Sequence, residues 1–195
     1  MHGVAPTEIG TLRILGIDPG TATVGYGIVD CVGVDAFACV ATGIIQTRAG
    51  VPMGDRLKTI RTDLISLIEQ FEPDLLALEA IFFFKNAKTL VPVAQARGVI
   101  LEVASTMGLP AFEYTPMQVK LHLTGFGRAD KRLVQLTVQK VLGHDHIIKP
   151  DDAADALALA ICHARMQVTR VAPAPQHQSA PSLAPGDRNE ILQDE

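Results

Sequence analysis

A chain of 195 residues, 48% apolar and 19% charged, suits one α/β domain with a full core and is short for two. No apolar run is long enough to span a bilayer, and Met1–Thr11 lacks the basic-then-apolar pattern of a secretory signal, so a cytoplasmic location without membrane contact is expected. The net charge of −4 speaks against a polyanion partner only for the chain as a whole. Residues 85–149 hold nine Lys/Arg against four Asp/Glu, whereas residues 1–84 hold five against ten. On charge alone, ordinary solvated surface is the better reading. Cys31, Cys39 and Cys162 are odd in number and show no CxxC, which argues against a disulfide framework or a zinc ribbon. Each is expected to be a small buried hydrophobe.

Residues 1–11 read as an irregular lead. Leu12–Asp18 is a short apolar run, a buried strand that Pro19-Gly20 stops. Thr23–Asp30 and Phe37–Thr47 are rich in Val, Ile and Thr and predict two further strands in an antiparallel meander. In Pro52–Phe71 the apolar residues Met53, Leu57, Ile60, Leu64, Leu67 and Ile68 form a helical stripe, ended by Pro73. Leu75–Glu79 is a short buried strand. Ala87–Met107 reads as a long helix, imperfect around Pro92, and Ala111–Tyr114 as a strand. Pro116–Leu123 is a short helix with proline in its first turn. Asp130–Leu142 and Asp151–Val168 complete the helices. The domain runs over 12–171. From Ala172 to Glu195, prolines among Ala, Ser, Gln and Gly replace any apolar period, which predicts a disordered tail. Strands alternating with helices late in the chain imply parallel crossovers. The fold class is α/β, a mixed sheet flanked by helices.

Two carboxylates fall where such a sheet places its ligands. Asp18 and Glu79 each close an apolar strand, a costly position unless the carboxylate is paired or metal-bound. In Asp151-Asp152-Ala153-Ala154-Asp155, Asp155 shares a helical face with Asp152 at a spacing of three and with Asp151 at a spacing of four. Spacing does not choose between Asp151 and Asp152, and the one not chosen is expected to be the helix N-cap. Such a set repels itself and calls for a hard cation. Mg²⁺ or Mn²⁺ fits, as two ions about 3.5–4 Å apart at a phosphodiester. Ordinary capping and surface charge explain each carboxylate singly; the joint arrangement favours the metal site. His144-Asp145-His146 lies in a predicted loop with no further ligand evident, and His163 on the last helix reads as packed or surface histidine.

The strings Leu15-Gly16-Ile17-Asp18-Pro19-Gly20 with Gly25-Tyr26-Gly27, Glu79-Ala80-Ile81-Phe82, Gln95-Ala96-Arg97-Gly98, Gln118-Val119-Lys120 and Asp152-Ala153-Ala154-Asp155-Ala156-Leu157-Ala158 resemble, in order, the RuvC-type Holliday-junction resolvases. The resemblance covers roughly residues 12–166. It implies a ribonuclease H-like sheet of five strands. It also implies a homodimer that resolves four-way junction DNA by paired symmetric nicks, in recombination and repair, alongside the branch-migration complex RuvAB. Cutting within a short T-rich tetranucleotide is part of the same implication.

By that resemblance the catalytic and metal-binding carboxylates are Asp18, Glu79, Asp152 and Asp155, which selects Asp152 over Asp151. Lys120 matches a lysine near the active centre, Lys131 a second basic position on the DNA face, and Phe82 an aromatic that contacts bases. From the residues alone, Phe82-Phe83-Phe84 reads more readily as core. Ala80 departs from the family, which often has Gln after the strand-end Glu. The apolar residues of the long helix, Leu90, Val93, Ala94, Ala96, Val99 and Ile100, exceed what one sheet face needs, and predict a twofold interface. The sharpest rival is an actin-like nucleotide-binding domain, for which Asp18-Pro19-Gly20-Thr21 would be the phosphate loop, but the chain lacks the second such domain. Other ribonuclease H-like nucleases and an inactive DNA-binding module are the remaining alternatives.

Overall fold

A computed structural model describes residues 11–33, 35–81 and 87–171. The predicted tail, and the predicted lead apart from Thr11, lie outside the described residues, as do Phe82, Phe83 and Phe84. Chain order is β1 (Leu12–Asp18), β2 (Thr23–Gly33), β3 (Ala36–Gln46), α1 (Met53–Phe71), β4 (Leu75–Glu79), α2 (Ala87–Thr106), β5 (Ala111–Tyr114), α3 (Pro116–Thr124), α4 (Lys131–Val141) and α5 (Asp151–Val171). The strands form one sheet in the order β3-β2-β1-β4-β5. β1, β2 and β3 are the antiparallel meander; β4 and β5 run parallel to β1.

Side-chain alternation along each strand divides the core in two. Ile14 of β1, Leu75 and Ala77 of β4 and Tyr114 of β5 pack under α3, α4 and α5. Leu15, Ile17, Leu76 and Leu78 face the other way, against Ile60 and Leu64 of α1 and Ile100 and Val103 of α2. The pairing of β2 with β3 slips between Ile28↔Ala41 and Val29↔Cys39, leaving Val40 unpaired. One extra residue reverses the faces beyond it. Phe37 and Cys39 therefore pack on the α5 side, whereas Ala41 and Ile45 pack on the other.

α2 is helical through Pro92, which sits within its first two turns. The cysteines differ from expectation. Cys162 is buried, but Cys31 and Cys39 are half-buried because they lie on β2 and β3, at the open side of the sheet; all three are free thiols. His163 is fully buried, with its Nδ1 2.5 Å from the Tyr114 hydroxyl and the Phe112 ring tilted against it at 57°, 4.7 Å between ring centroids. Among the described residues no helix is long and apolar enough to cross a membrane.

Candidate active site

β1 and β4 are in parallel register with Ile17 beside Leu78, so the next residue on each strand, Asp18 and Glu79, stand side by side at the carboxyl ends. Alternation turns both toward α5, the face of Ile14 and Ala77, and away from the face of Ile17 and Leu78. Glycines let α5 come down onto this face. Gly16 pairs with Gly27, and Asp18 with Gly25, across the β1–β2 ladder. A Cβ on Gly16 would stand 1.9 Å from the Ala156 carbonyl oxygen, and one on Gly25 2.0 Å from that of Asp152. On Gly27 it would meet the Leu157 side chain at 2.6 Å. The close approach brings Asp152 and Asp155 over the strand ends.

The electrostatics follow from the crowding. Burial, then the charges of Glu79, Asp155 and Asp152, push the Asp18 carboxyl up to about 8, and a hydrogen bond with Glu79 adds to the effect. Burial also raises Asp155, opposed by Lys131, whose Nζ lies 3.3 Å from Asp155 Oδ2 and 3.2 Å from Asp151 Oδ2. Asp151 is instead directed outward. Hydrogen bonding to Lys149 and then to Lys131 lowers its carboxyl to about 2. The expected N-cap role does not fall to Asp151. α5 begins at Asp151 itself, and the Pro150 carbonyl accepts from Ala153 and Ala154. Proline offers no side-chain cap, and Asp151 is occupied by two lysines.

Asp18, Glu79, Lys120, Lys131 and Asp155 line one cleft of about 270 Å³, with Val119 and Leu159 in its walls. Lys120 reaches it from α3, whose start is fixed by a capping box: Thr115 Oγ1 accepts from Gln118 N at 3.1 Å, and the Gln118 side chain accepts from Thr115 N at 2.9 Å. Gln118 is thus structural. At the far end of α3, Arg165 Nη1 donates to the carbonyls of His122 and Leu123 at 3.0 and 2.9 Å. Lys131 opens α4 after the N-cap Asp130, whose side chain accepts from Leu133 N at 2.7 Å. Lys131 sits against the carboxylates, within 3.3 Å of Asp155 and 3.2 Å of Asp151.

Arg97 is the residue that sequence reading left without a role. It lies on α2, 8% exposed, on the opposite side of the sheet. Its Nη1 donates to the Glu79 backbone carbonyl at 2.7 Å, and its Nη2 pairs with Glu113 at 2.5 Å. Its place in Gln95-Ala96-Arg97-Gly98 was the available signal. Ala80, where the family often has Gln, continues the ladder through its backbone N–H to Tyr114 O at 2.8 Å. Among the described residues, no three His, Cys, Asp or Glu side chains converge closely enough to enclose a metal ion as they stand. Asp18 is bonded to Glu79, and Lys131 draws on Asp155.

A mixed five-stranded sheet with carboxylates closing two adjacent parallel strands, and two more on a covering helix, defines a ribonuclease H-like protein. Residues 14–163 match the family described as Crossover junction endodeoxyribonuclease RuvC. The protein of that name from Moorella thermoacetica is 52% identical over 153 residues, spanning 78% of this chain and 91% of that protein. The one from Pelotomaculum thermopropionicum is 50% identical over 153 residues, spanning 78% and 93%. The solved structure of Thermus thermophilus RuvC in complex with Holliday junction substrate superimposes with a TM-score of 0.78 at 32% identity, covering 82% of this chain and 96% of that one. The chain belongs to the RuvC family of crossover junction endodeoxyribonucleases.

Proposed function

We propose that this chain resolves four-way DNA junctions by paired, symmetric, divalent-metal-assisted nicks, with Asp18, Glu79, Asp152 and Asp155 as the catalytic and metal-binding carboxylates. The observation that carries the reading is the meeting of Asp18 and Glu79, side by side at the ends of β1 and β4, with α5 and its two aspartates seated on glycine above them. Burial and three neighbouring carboxylates push the Asp18 carboxyl up to about 8. Such crowding is relieved by a cation. An all-oxygen, all-carboxylate donor set suits Mg²⁺ or Mn²⁺. When bound, two such ions supply an activated water and stabilisation of the leaving oxygen.

The chain's own residues do the positioning. Asp18 and Glu79 hold their places through the parallel register of β1 and β4, and Asp152 and Asp155 through the seating of α5 on glycine. Lys131 keeps Asp155 oriented and offers its ammonium to the DNA backbone. Lys120, in the same cleft, offsets the charge that builds on the phosphate in the transition state. Phe82, directly beyond the Glu79 strand end in sequence, is proposed to contact bases near the crossover.

The homodimer is proposed to form along α2. Ala96 and Ile100 are buried against the sheet, while Val91, 62% exposed, and the exposed Ala94 and Gly98 lie on the other side of the helix. Monomerising substitutions there should uncouple the two nicks; coupled nicking by a demonstrated monomer would sink the interface. Cytoplasmic action in recombination and repair, alongside RuvAB, completes the proposal.

The test is cleavage of a synthetic mobile four-way junction by wild type and Asp155→Asn, with Mg²⁺ or Mn²⁺ and a linear duplex control. Symmetric nicks made only by the wild type, and only in the junction, are expected. Equal cutting of the linear duplex, or undiminished cutting by Asp155→Asn, would overturn the reading.

A further inference from the structure

The edge of the sheet that carries Asp18 also carries a second polar groove. The start of β2 and the end of β3 lie at this edge, where Thr23 pairs with Gln46. An open groove of about 730 Å³ lies beside them, lined by Thr21, Thr23, Gln46, Thr47, Arg48 and Arg56 and by no acidic residue. Its two arginines come from the half of the chain in which acidic residues outnumber basic ones two to one. Their convergence is therefore a product of folding rather than of local composition.

The groove is braced. Thr47, 7% exposed, donates through its backbone N–H to Ala22 O at 3.0 Å and through its hydroxyl to Thr21 O at 2.5 Å. The same hydroxyl accepts from Arg56 Nε at 2.8 Å. These bonds tie the Pro19–Ala22 turn, which directly follows Asp18, to the end of β3 and to α1. They also aim the guanidinium of Arg56, since Nε is occupied and the terminal nitrogens are held in one plane by it. Among the described residues no carboxylate forms an ion pair with Arg48 or Arg56, nor with Arg128 or Arg132, whereas Arg13, Arg61, Arg97 and Arg165 each have one.

We infer that this groove is a phosphate subsite for the DNA strand that passes through the carboxylate site. The inference rests on the nuclease reading above. Arginine terminal nitrogens in a fixed fork match phosphate oxygens two at a time, and the hydroxyls of Thr21 and Thr23 add neutral donors. Two strand spacings separate β1 from β3, about 10 Å along the sheet edge. A strand with one phosphate at Asp18 would therefore place another, one or two nucleotides along, at Arg48 and Arg56. Gripping it fixes the register of the scissile phosphate over the carboxylates, and the Thr47 bonds make the grip and the Asp18 turn one rigid piece.

The test uses the full chain in EDTA, so that junctions are bound but not cut. Arg48→Ala with Arg56→Gln should bind a four-way junction about tenfold more weakly than wild type, with a salt slope shallower by about 1 to 2. Wild type should lose affinity when one neutral methylphosphonate linkage is placed one or two nucleotides from the cut, and the double variant should be indifferent to it. Wild-type affinity and slope in the variant, or the same methylphosphonate profile in both proteins, would overturn the subsite. Inorganic phosphate provides a probe that is independent of junctions, and Arg48→Ala alone, at an exposed position, guards against misfolding of the double variant. Phosphate should shift the Arg56 Nε–Hε resonance in wild type, and less so in Arg48→Ala. A shift in a protein that binds no junction would keep the anion site and remove the junction reading. No shift in a protein that binds junctions normally would remove the subsite alone.

Discussion

Gly25 lies directly beneath Asp152, so close that a Cβ there would stand 2.0 Å from the Asp152 carbonyl oxygen. With Gly16 and Gly27 it forms a floor without side chains on which α5 rests, and that contact carries two of the four carboxylates to the other two. Gly25→Ala must lift α5 or bend β2. We expect a loss of about 3 kcal/mol in stability, at the upper end for overpacking because the obstacle is backbone. Cleavage should fall by more than the folded fraction does. Denaturant unfolding beside junction cleavage checks both, and a variant with wild-type stability and activity would show that α5 has room to move.

Asp18→Asn should abolish nicking while leaving junction binding within about threefold of wild type, since phosphate contacts supply most of the affinity. The loss in cutting should exceed about a hundredfold, beyond what removal of an outer partner of a metal ligand costs. Parallel gel-shift and single-turnover cleavage measurements separate the two effects. Binding that falls in step with cutting would mark Asp18 as structural.

Metal-free stability should depend on pH through Asp18. Its folded value of about 8 lies above the ordinary 3.8, so the folded state binds this proton more tightly than the unfolded chain does. The contribution is therefore complete below pH of about 4 and is lost as pH rises through about 8. In EDTA the melting temperature should fall between pH 5 and pH 8, and the Asp18→Asn chain should fall less steeply. Addition of Mg²⁺ or Mn²⁺ at pH 8 should raise it again in the wild type. Identical pH slopes for the two proteins would remove Asp18 as the cause.

Arg97→Lys should slow cleavage about tenfold with unchanged junction affinity. Arg97 bonds the Glu79 carbonyl at 2.7 Å from below the sheet while its other nitrogen pairs with Glu113, so it sets where the strand end sits without facing the carboxylate cleft. A lysine offers one point charge and cannot span both acceptors as the guanidinium does. Single-turnover rates and dissociation constants check the split. An equal loss in both would place Arg97 on the DNA surface instead.

Much of the candidate site is legible in the sequence, because burial leaves a mark on composition. Asp18 and Glu79 stand out as carboxylates closing apolar runs, and a spacing of three puts Asp152 and Asp155 on one helical face. Helix and strand periods placed every element of the domain. Their ends moved: β2 continues to Gly33 and β3 begins at Ala36, because strand length depends on a partner that local pattern does not contain.

Tertiary contact decided the rest. Asp151 and Asp152 are equivalent by composition, and only folding ties the Asp151 carboxylate to Lys131 and Lys149 while it sets the Asp152 backbone on Gly25. The glycines read as a motif, but their reason is the carbonyl of a helix more than a hundred residues away in sequence. The contacts of Arg97 and the convergence of Arg48 and Arg56 are absent from the sequence for the same reason. An arginine in a sequence is a charge; which carbonyl, carboxylate or phosphate it faces is settled by distances between segments, and those exist only once the sheet has formed.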